Sequence, residues 1–478
     1  MSQNDIGKLT LIGVGWSFVE KFIGYFIQFL FTILLARLLV PEDFGLVGLL
    51  VVFTAVSQVF IDSGFTQTLI QNKSLDNKDY SSVFYFNVVI AVFIYLVLFF
   101  LAPYIADYYK DERLIDIARV SFITLIVNSF SIVPNAIIQK EMDFKILAKR
   151  TLIANILAGI VAVFFAFYGA GVWSLALQIL LSSIFKTLLL WFSIKWRPLR
   201  YFSLEPIKIL YKFSLNIMFS SLLDTLVSNA PVLIIGKYYN KTTLGYFSQS
   251  YNLQSIPSNA LVAVIRNVTF SAMSKIQDDD NRLNGYFLET QNIAFYIIFN
   301  SFVFLSISSN EFVRLLLGSN WIQTIEYFKY LCFVGAFLPV YNLGMNILLV
   351  KKKGRDYLVT NIYKRIVTIV LVLSTITFSI RILIFGQIAA VIINSFITMY
   401  MTQKTISLSM LNQLKGLYKS FLIGVLIYMF FFFIEKYISF GLIVNLILKV
   451  FLFLILFLLL SHLTKHTVFT TFLKKVKR

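Results

Sequence analysis

Apolar residues recur along this chain in runs of about 20, the length a helix needs to cross the hydrocarbon core of a bilayer, and polar clusters separate them. The runs lie near 10–36, 44–64, 82–106, 114–138, 147–168, 171–192, 212–236, 244–268, 286–308, 325–350, 358–380, 383–403, 417–435 and 440–463. They predict an all-α integral membrane protein of about fourteen transmembrane helices.

The first run departs from a purely apolar pattern. Glu20 and Lys21 stand near its middle, where an ionised side chain costs several kcal/mol unless it faces a bundle interior or water. Gly13, Ser17, Glu20, Lys21, Gly24 and Gln28 follow spacings of three and four, which gathers small and polar residues on one stripe and leaves Phe18, Phe22, Phe26 and Phe29 mostly elsewhere. Ala36-Arg37 and a short turn then lead to Phe44-Gly45, and about 200 residues later Gly236-Lys237, a short turn and Leu244-Gly245 repeat the pattern. At that offset Glu20, Lys21, Gly24 and Gln28 fall on Ser220, Ser221, Asp224 and Ser228, so the second copy also carries a polar stripe.

An even number of spans per copy returns the second copy in the same orientation, so parallel six-helix lobes about a pseudo-two-fold along the membrane normal are expected. The expected organisation is a first lobe over 1–195, a basic amphipathic connection over 196–212, a second lobe over 213–405, and two further helices with a basic tail over 406–478.

Composition agrees with the pattern: 58% of the residues are hydrophobic and only 14% charged, outside the range of soluble domains. The net charge of +19 suggests nucleic acid until the basic residues are located. They gather in alternate connections: Lys73 and Lys78, Lys140 to Arg150, Lys195 to Lys212, Lys275 and Arg282, Lys351 to Arg355, Lys404 to Lys419, and Lys465 to Arg478. By the positive-inside rule these face the cytoplasm and its anionic lipid, with both termini cytoplasmic. The first run has no small-residue cleavage pattern after it and reads as a retained helix.

Enzyme chemistry finds little support. Cys332 is the single cysteine, which excludes an intrachain disulfide, and His462 and His466 leave little for a zinc site or a histidine base. No phosphate-binding loop, nucleophile elbow or zincin motif is present. Asp278-Asp279-Asp280 reads as a solvated charge run. The connections expected outside are short, the longest near 309–324, which leaves no room for a membrane glycosyltransferase or polymerase site.

Charges inside the spans point to a ligand. The bases are Lys21, Arg119, Lys186, Arg266, Lys329, Lys364, Arg365 and Lys449, against the acids Glu20, Asp62 and Asp224. Arg119, Lys329, Lys364 and Arg365 lie within two turns of predicted helix ends, where long side chains reach the headgroups, and Lys449 lies outside the repeats, which suggests a lipid or interhelix role. The remaining surplus of positive charge suits an anionic group such as a phosphate or pyrophosphate. Lys21, Arg266 and Lys186 are the candidate cations, with Gln28, Ser221 and Ser228 as polar cavity residues. Glu20, Asp62 and Asp224 are candidates for coupling to H+ or Na+, and no other cofactor is expected. Asn87, Asn128, Asn155, Asn216, Asn292, Asn300, Asn342, Asn346 and Asn394 read as interhelical hydrogen-bond formers.

At Leu35-Ala36-Arg37-Leu38-Leu39-Val40-Pro41-Glu42-Asp43-Phe44-Gly45, followed by Ile61-Asp62-Ser63-Gly64-Phe65, the chain resembles the polysaccharide-exporter branch, the Wzx-type O-antigen and capsule flippases, of the multidrug/oligosaccharidyl-lipid/polysaccharide flippase superfamily. The resemblance implies two six-helix lobes around an alternately opening cavity and an undecaprenyl-pyrophosphate-linked oligosaccharide as substrate. It also implies that basic residues of the first and eighth helices, here Lys21 and Arg266, contact the pyrophosphate. The expected function is a flippase of the bacterial cytoplasmic membrane in lipopolysaccharide or capsule assembly, with membrane lipids and other polysaccharide assembly proteins as partners. The competing reading is a multidrug and toxin extrusion antiporter of the same superfamily, which exports cations and calls for more acid than base in its cavity.

Overall fold

The computed structural model describes residues 23–72, 75–141, 143–376, 378–435 and 440–476. Lys21 and Glu20 lie outside the described residues, as does the Arg266 side chain. The described chain is helical almost throughout, as α1 (Ile23–Leu38), α2 (Pro41–Asp62), α3 (Phe65–Gln71), α4 (Asn77–Tyr109), α5 (Arg113–Lys140), α6 (Phe144–Phe167), α7 (Val172–Ser193), α8 (Leu204–Tyr238), α9 (Lys241–Lys275), α10 (Asp280–Ile307), α11 (Ser309–Leu316), α12 (Ile322–Val350), α13 (Gly354–Ser374), α14 (Ile380–Ile406), α15 (Met410–Ile434), α16 (Leu442–Leu463) and α17 (Thr467–Val476).

A helix stands at each predicted apolar run, and α1 is the described part of the first. Twelve of the described helical segments are long and apolar enough to cross a membrane. α1 is short of that length and α9 is more polar, with Gln249, Gln254 and Ser258 buried along it. The chain is therefore a multi-pass membrane protein.

Local chemistry sets the helix ends. Pro41 opens α2 at a position where its missing N–H costs nothing. Asp76 and Asp79 form a capping box on α4. Within the acidic run, Asp279 accepts a hydrogen bond from the Arg282 N–H at 3.0 Å and starts α10, while Asp280 pairs with Lys351 at 2.5 Å. Two of these three acids thus have structural partners.

The fold separates into two compact units, Met1–Ser248 and Gln249–Arg478. This division lies within α9, later than the 196–212 connection that the sequence marks as the lobe boundary. In the first unit α8 packs against α2 and α4, and Phe65, Tyr80, Phe84, Val133, Ile207 and Leu210 share one buried cluster. The connection itself is seated: the Leu199 N–H donates to Ser81 Oγ at 2.9 Å and the Ser203 N–H to Ser82 Oγ at 3.1 Å. In the second unit α10 packs against α12 and α15, and Leu283, Phe287, Leu343 and Ile347 centre a separate cluster.

The repeated motif has a shared structural use. Gly45 in α2 and Gly245 in α9, both in the first unit, lie against each other's helix: a Cβ on Gly45 would collide with the Lys241 carbonyl, and one on Gly245 with the Pro41 carbonyl. Side chains surround this glycine clasp with charge. Lys241 bonds Asp111 at 2.5 Å, Asp111 bonds Arg113 at 2.8 Å, and Arg113 pairs with Glu42. Burial opposes ionisation of Asp111, but hydrogen bonds from Arg113 and Lys241 outweigh it and hold the carboxyl at about 2.

Candidate functional site

The break between α2 and α3 creates the site. Ser63 and Gly64 both take left-handed backbone, with φ of 47° and 74°. A Cβ on Gly64 would also lie 2.5 Å from the Ser214 carbonyl of α8, so glycine is needed twice over, for conformation and for close approach. Asp62 Oδ1 accepts from Thr66 Oγ1 at 2.5 Å and from the Thr66 N–H at 3.3 Å, which satisfies the start of α3. Phe65 is fully buried in the core beneath. The Asp-Ser-Gly-Phe sequence thus ends one helix, caps the next and anchors both.

Beside this break lies a cavity of about 580 Å³ within the first unit. Gln58 and Asp62 of α2 and Thr66 of α3 form one wall; Asn128, Ser131, Asn135 and Gln139 of α5 form another; Met218 and Ser221 of α8 close it. Asn128 donates to Gln58 Oε1 at 3.3 Å, and Ser131 shares a hydrogen bond of 2.7 Å with Thr187. Asp62 puts a carboxyl directly in the lining, and Arg150 reaches the lining indirectly by donating to Asn135 Oδ1 at 2.7 Å. Seven of the thirteen lining residues carry amides or hydroxyls. Such groups form directional hydrogen bonds with hydroxyl-rich ligands and, being uncharged, shed water at lower cost than ions do.

Two expected site residues, Asp62 and Ser221, meet at this cavity. Asp62 has no lysine or arginine within ion-pair distance among the described residues. Asp224 and Ser228 are exposed on α8, Gln28 is exposed on α1, and Lys186 is half-buried, two turns before the end of α7. Lys21, Glu20 and the Arg266 side chain lie outside the described residues.

Other intramembrane charges are resolved individually. Arg119 sits over the Phe99 ring at 4.3 Å and Lys329 near Tyr428 at 5.8 Å, and both lie two turns or less from a helix start. Lys364 differs from its expected place: α13 begins at Gly354, which puts the lysine ten residues from either end, buried, with its ammonium 4.7 Å from the Tyr341 ring centre. Lys449 takes the interhelix role, pairing with Glu311 at 2.9 Å and Glu435 at 2.8 Å and donating to the Ile307 carbonyl at 3.0 Å. Arg150 was assigned by sequence to a connection, but α6 starts at Phe144 and carries it two turns inward. The spacing of three, four and four along the polar residues Asn128, Ser131, Asn135 and Gln139 was the available signal for this wall.

Comparison with known proteins follows the same line. In sequence the chain is 25% identical over 369 residues, covering 75% of this chain and 74% of the relative, to the lipopolysaccharide biosynthesis protein WzxC of Escherichia coli. It is 23% identical over 353 residues, 73% of each chain, to the teichuronic acid biosynthesis protein TuaB of Bacillus subtilis. In structure it matches the lipid II flippase MurJ in an inward closed conformation with a TM-score of 0.78 at 14% identity, covering 95% of this chain and 99% of that one. An inward-facing multidrug resistance transporter of the MATE family matches with a TM-score of 0.65 at 15% identity, covering 80% and 94%. A family model described as "Polysaccharide biosynthesis protein" matches residues 34–326, more than half of the sequence, so the chain belongs to the polysaccharide biosynthesis protein family.

Proposed function

We propose that this chain is a flippase that moves a lipid-linked oligosaccharide across the bacterial cytoplasmic membrane by alternating access, during assembly of a cell-surface polysaccharide. The observation that carries the reading is the amide-lined cavity at Gln58, Asn128 and Asn135, set within apolar spans of a chain from this family. Amides suit the sugar, and Arg150 behind Asn135 brings a positive charge to a lining whose own ionisable group is Asp62. The work is transport without catalysis.

In this reading fourteen helices span the membrane, and two six-helix lobes, 1–195 and 213–405, are followed by two further helices. Both termini face the cytoplasm, which makes the clasped end external. Lys21, Lys186 and Arg266 hold the pyrophosphate, with Gln28, Ser221 and Ser228 along the path of the sugar. Glu20, Asp62 or Asp224 carries H+ or Na+ coupling, and the rival drive is the membrane potential, worth about 2.3 kcal/mol per charge per 100 mV. The MATE-like likeness of fold keeps multidrug extrusion as the alternative. The amides and hydroxyls that accompany Asp62 in the lining suit the hydroxyl groups of a sugar, which favours the flippase.

The test is a deletion strain complemented with the gene. Loss of surface glycan with lipid-linked oligosaccharide accumulating in the inner leaflet, both reversed by complementation, is the expected result. Normal surface glycan together with new sensitivity to cationic drugs would overturn it in favour of extrusion.

A further inference from the structure

The second unit contains a gap of another kind. Between α14 and α15 a slot of about 340 Å³ is floored by Phe295 of α10 and Val340 of α12, with Met399 and Leu417 buried in its sides. Its rim is formed by Phe396, Tyr418 and Phe421, all well exposed, so the slot opens at the surface of the unit. Apart from the Tyr418 hydroxyl at the rim, the one polar side chain in its wall is Ser395, and that hydroxyl already donates to the Val391 carbonyl at 2.8 Å. Nothing in the slot selects for sugar. A hydrocarbon chain fills such a space by dispersion contacts that water does not supply.

Charge at one end of the slot adds a headgroup. Lys404 follows Met399 by five residues, about 7.5 Å along α14, and Lys415 adjoins Leu414 in α15, so each helix that walls the slot carries a lysine near its end. Both lysines are exposed, and among the described residues neither has an acidic partner within 4 Å. The chain contains no Asp or Glu from Tyr357 to Ile434. The neighbouring Lys419 is engaged, donating to the Lys465 carbonyl at 3.2 Å.

We propose that this slot binds one anionic membrane phospholipid, with an acyl chain between α14 and α15 and its phosphate held by Lys404 and Lys415. The two lysines supply charge where a phosphate at the membrane surface needs it, and the aromatic walls supply the chain site a short distance deeper. A bulk phospholipid is the occupant because the open rim gives access from the bilayer and the walls offer no group for a glycan. The inference is independent of what the polar cavity of the first unit transports.

Native mass spectrometry of the purified full-length protein, incubated with dioleoyl-phosphatidylglycerol or dioleoyl-phosphatidylcholine, tests it. One phosphatidylglycerol should survive activation that strips phosphatidylcholine, and retention should fall at least tenfold in the Lys404→Gln/Lys415→Gln double variant. Ser395→Phe, which fills the slot from its wall and leaves both lysines, should also lose the adduct. The double variant changes only exposed side chains, and an unchanged melting temperature would verify its fold. Equal retention of the two phospholipids, unchanged retention in the double variant, or displacement of phosphatidylglycerol by an equimolar polyprenyl phosphate would each overturn the assignment.

Discussion

The polar cavity of the first unit and the apolar slot of the second are built on the same spacing. Ala55, Gln58, Val59 and Asp62 face the cavity from α2; Ile392, Ser395, Phe396 and Met399 face the slot from α14, and Leu414, Leu417, Tyr418 and Phe421 from α15. Each set follows steps of three, one and three, the single stripe that a helix presents to a gap beside it. Geometry is therefore common to both sites, and residue type alone separates a space for hydroxyl-rich ligands from a space for hydrocarbon. A handful of substitutions should convert one kind of gap into the other without altering the fold.

The largest effect should come from Gly64→Val. A β-branched residue is strained in left-handed backbone, a cost of ~1–3 kcal/mol, and its Cβ also meets the Ser214 carbonyl. Glycan export should disappear and membrane abundance should fall several-fold, while any protein recovered in detergent keeps phosphatidylglycerol retention, because the slot lies in the other unit. Wild-type export by Gly64→Val would show that α2 and α3 tolerate a different break.

Next in size is Asn128→Leu with Asn135→Leu, which gives α5 the character of α14. Two lost hydrogen bonds to ligand, at about 0.5–1.5 kcal/mol each, predict roughly a tenfold drop in flipping at normal abundance. Surface glycan normalised to immunoblotted protein is the measurement. An unchanged rate would remove this cavity from the transport path.

The smallest effect concerns pH and the α15 wall of the slot. His466, in the connection before α17, accepts from the Val468 N–H at Nδ1 and therefore donates from Nε2 to Ser420 of α15 at 2.9 Å. Burial, helped by nearby Lys419, lowers this imidazole from 6.5 to about 4. Because the folded value is the lower one, the stabilising contribution is complete above pH 6.5 and declines as pH falls toward 4. The melting temperature of the purified protein should drop by a few degrees over that window, and His466→Gln should flatten the change. An identical pH profile for His466→Gln would show that other groups set it.

Helix positions were legible because a membrane span is long and its apolar pattern is strong. Charges near span ends were not, since an error of three or four residues moves a lysine from headgroup to mid-membrane. Lys364 and Arg150 both changed status for that reason, by starts at Gly354 and Phe144 in place of 358 and 147. Glu311 was invisible as the partner of Lys449 because a connection hides its own contacts; its place in α11 brings it to α16. The cavity wall on α5 was legible in principle, but Asn128 reads alone as an interhelical bond and Asn135 draws no notice by itself; a stripe is recognised only when neighbours are read together.

The clasp between Gly45 and Gly245 bears on how closely the starts of α2 and α9 are aligned. Backbone meets backbone there, and a Cβ at either position would run into a carbonyl of the other helix. Two helix starts approach each other with like partial charges, and Glu42, Asp43 and Asp111 lie where they offset that repulsion. The contact therefore fits in one register only. A junction of this type indexes the two helix starts to each other, as a key fixes a wheel to its shaft, and any side chain larger than hydrogen at either glycine would lose that alignment.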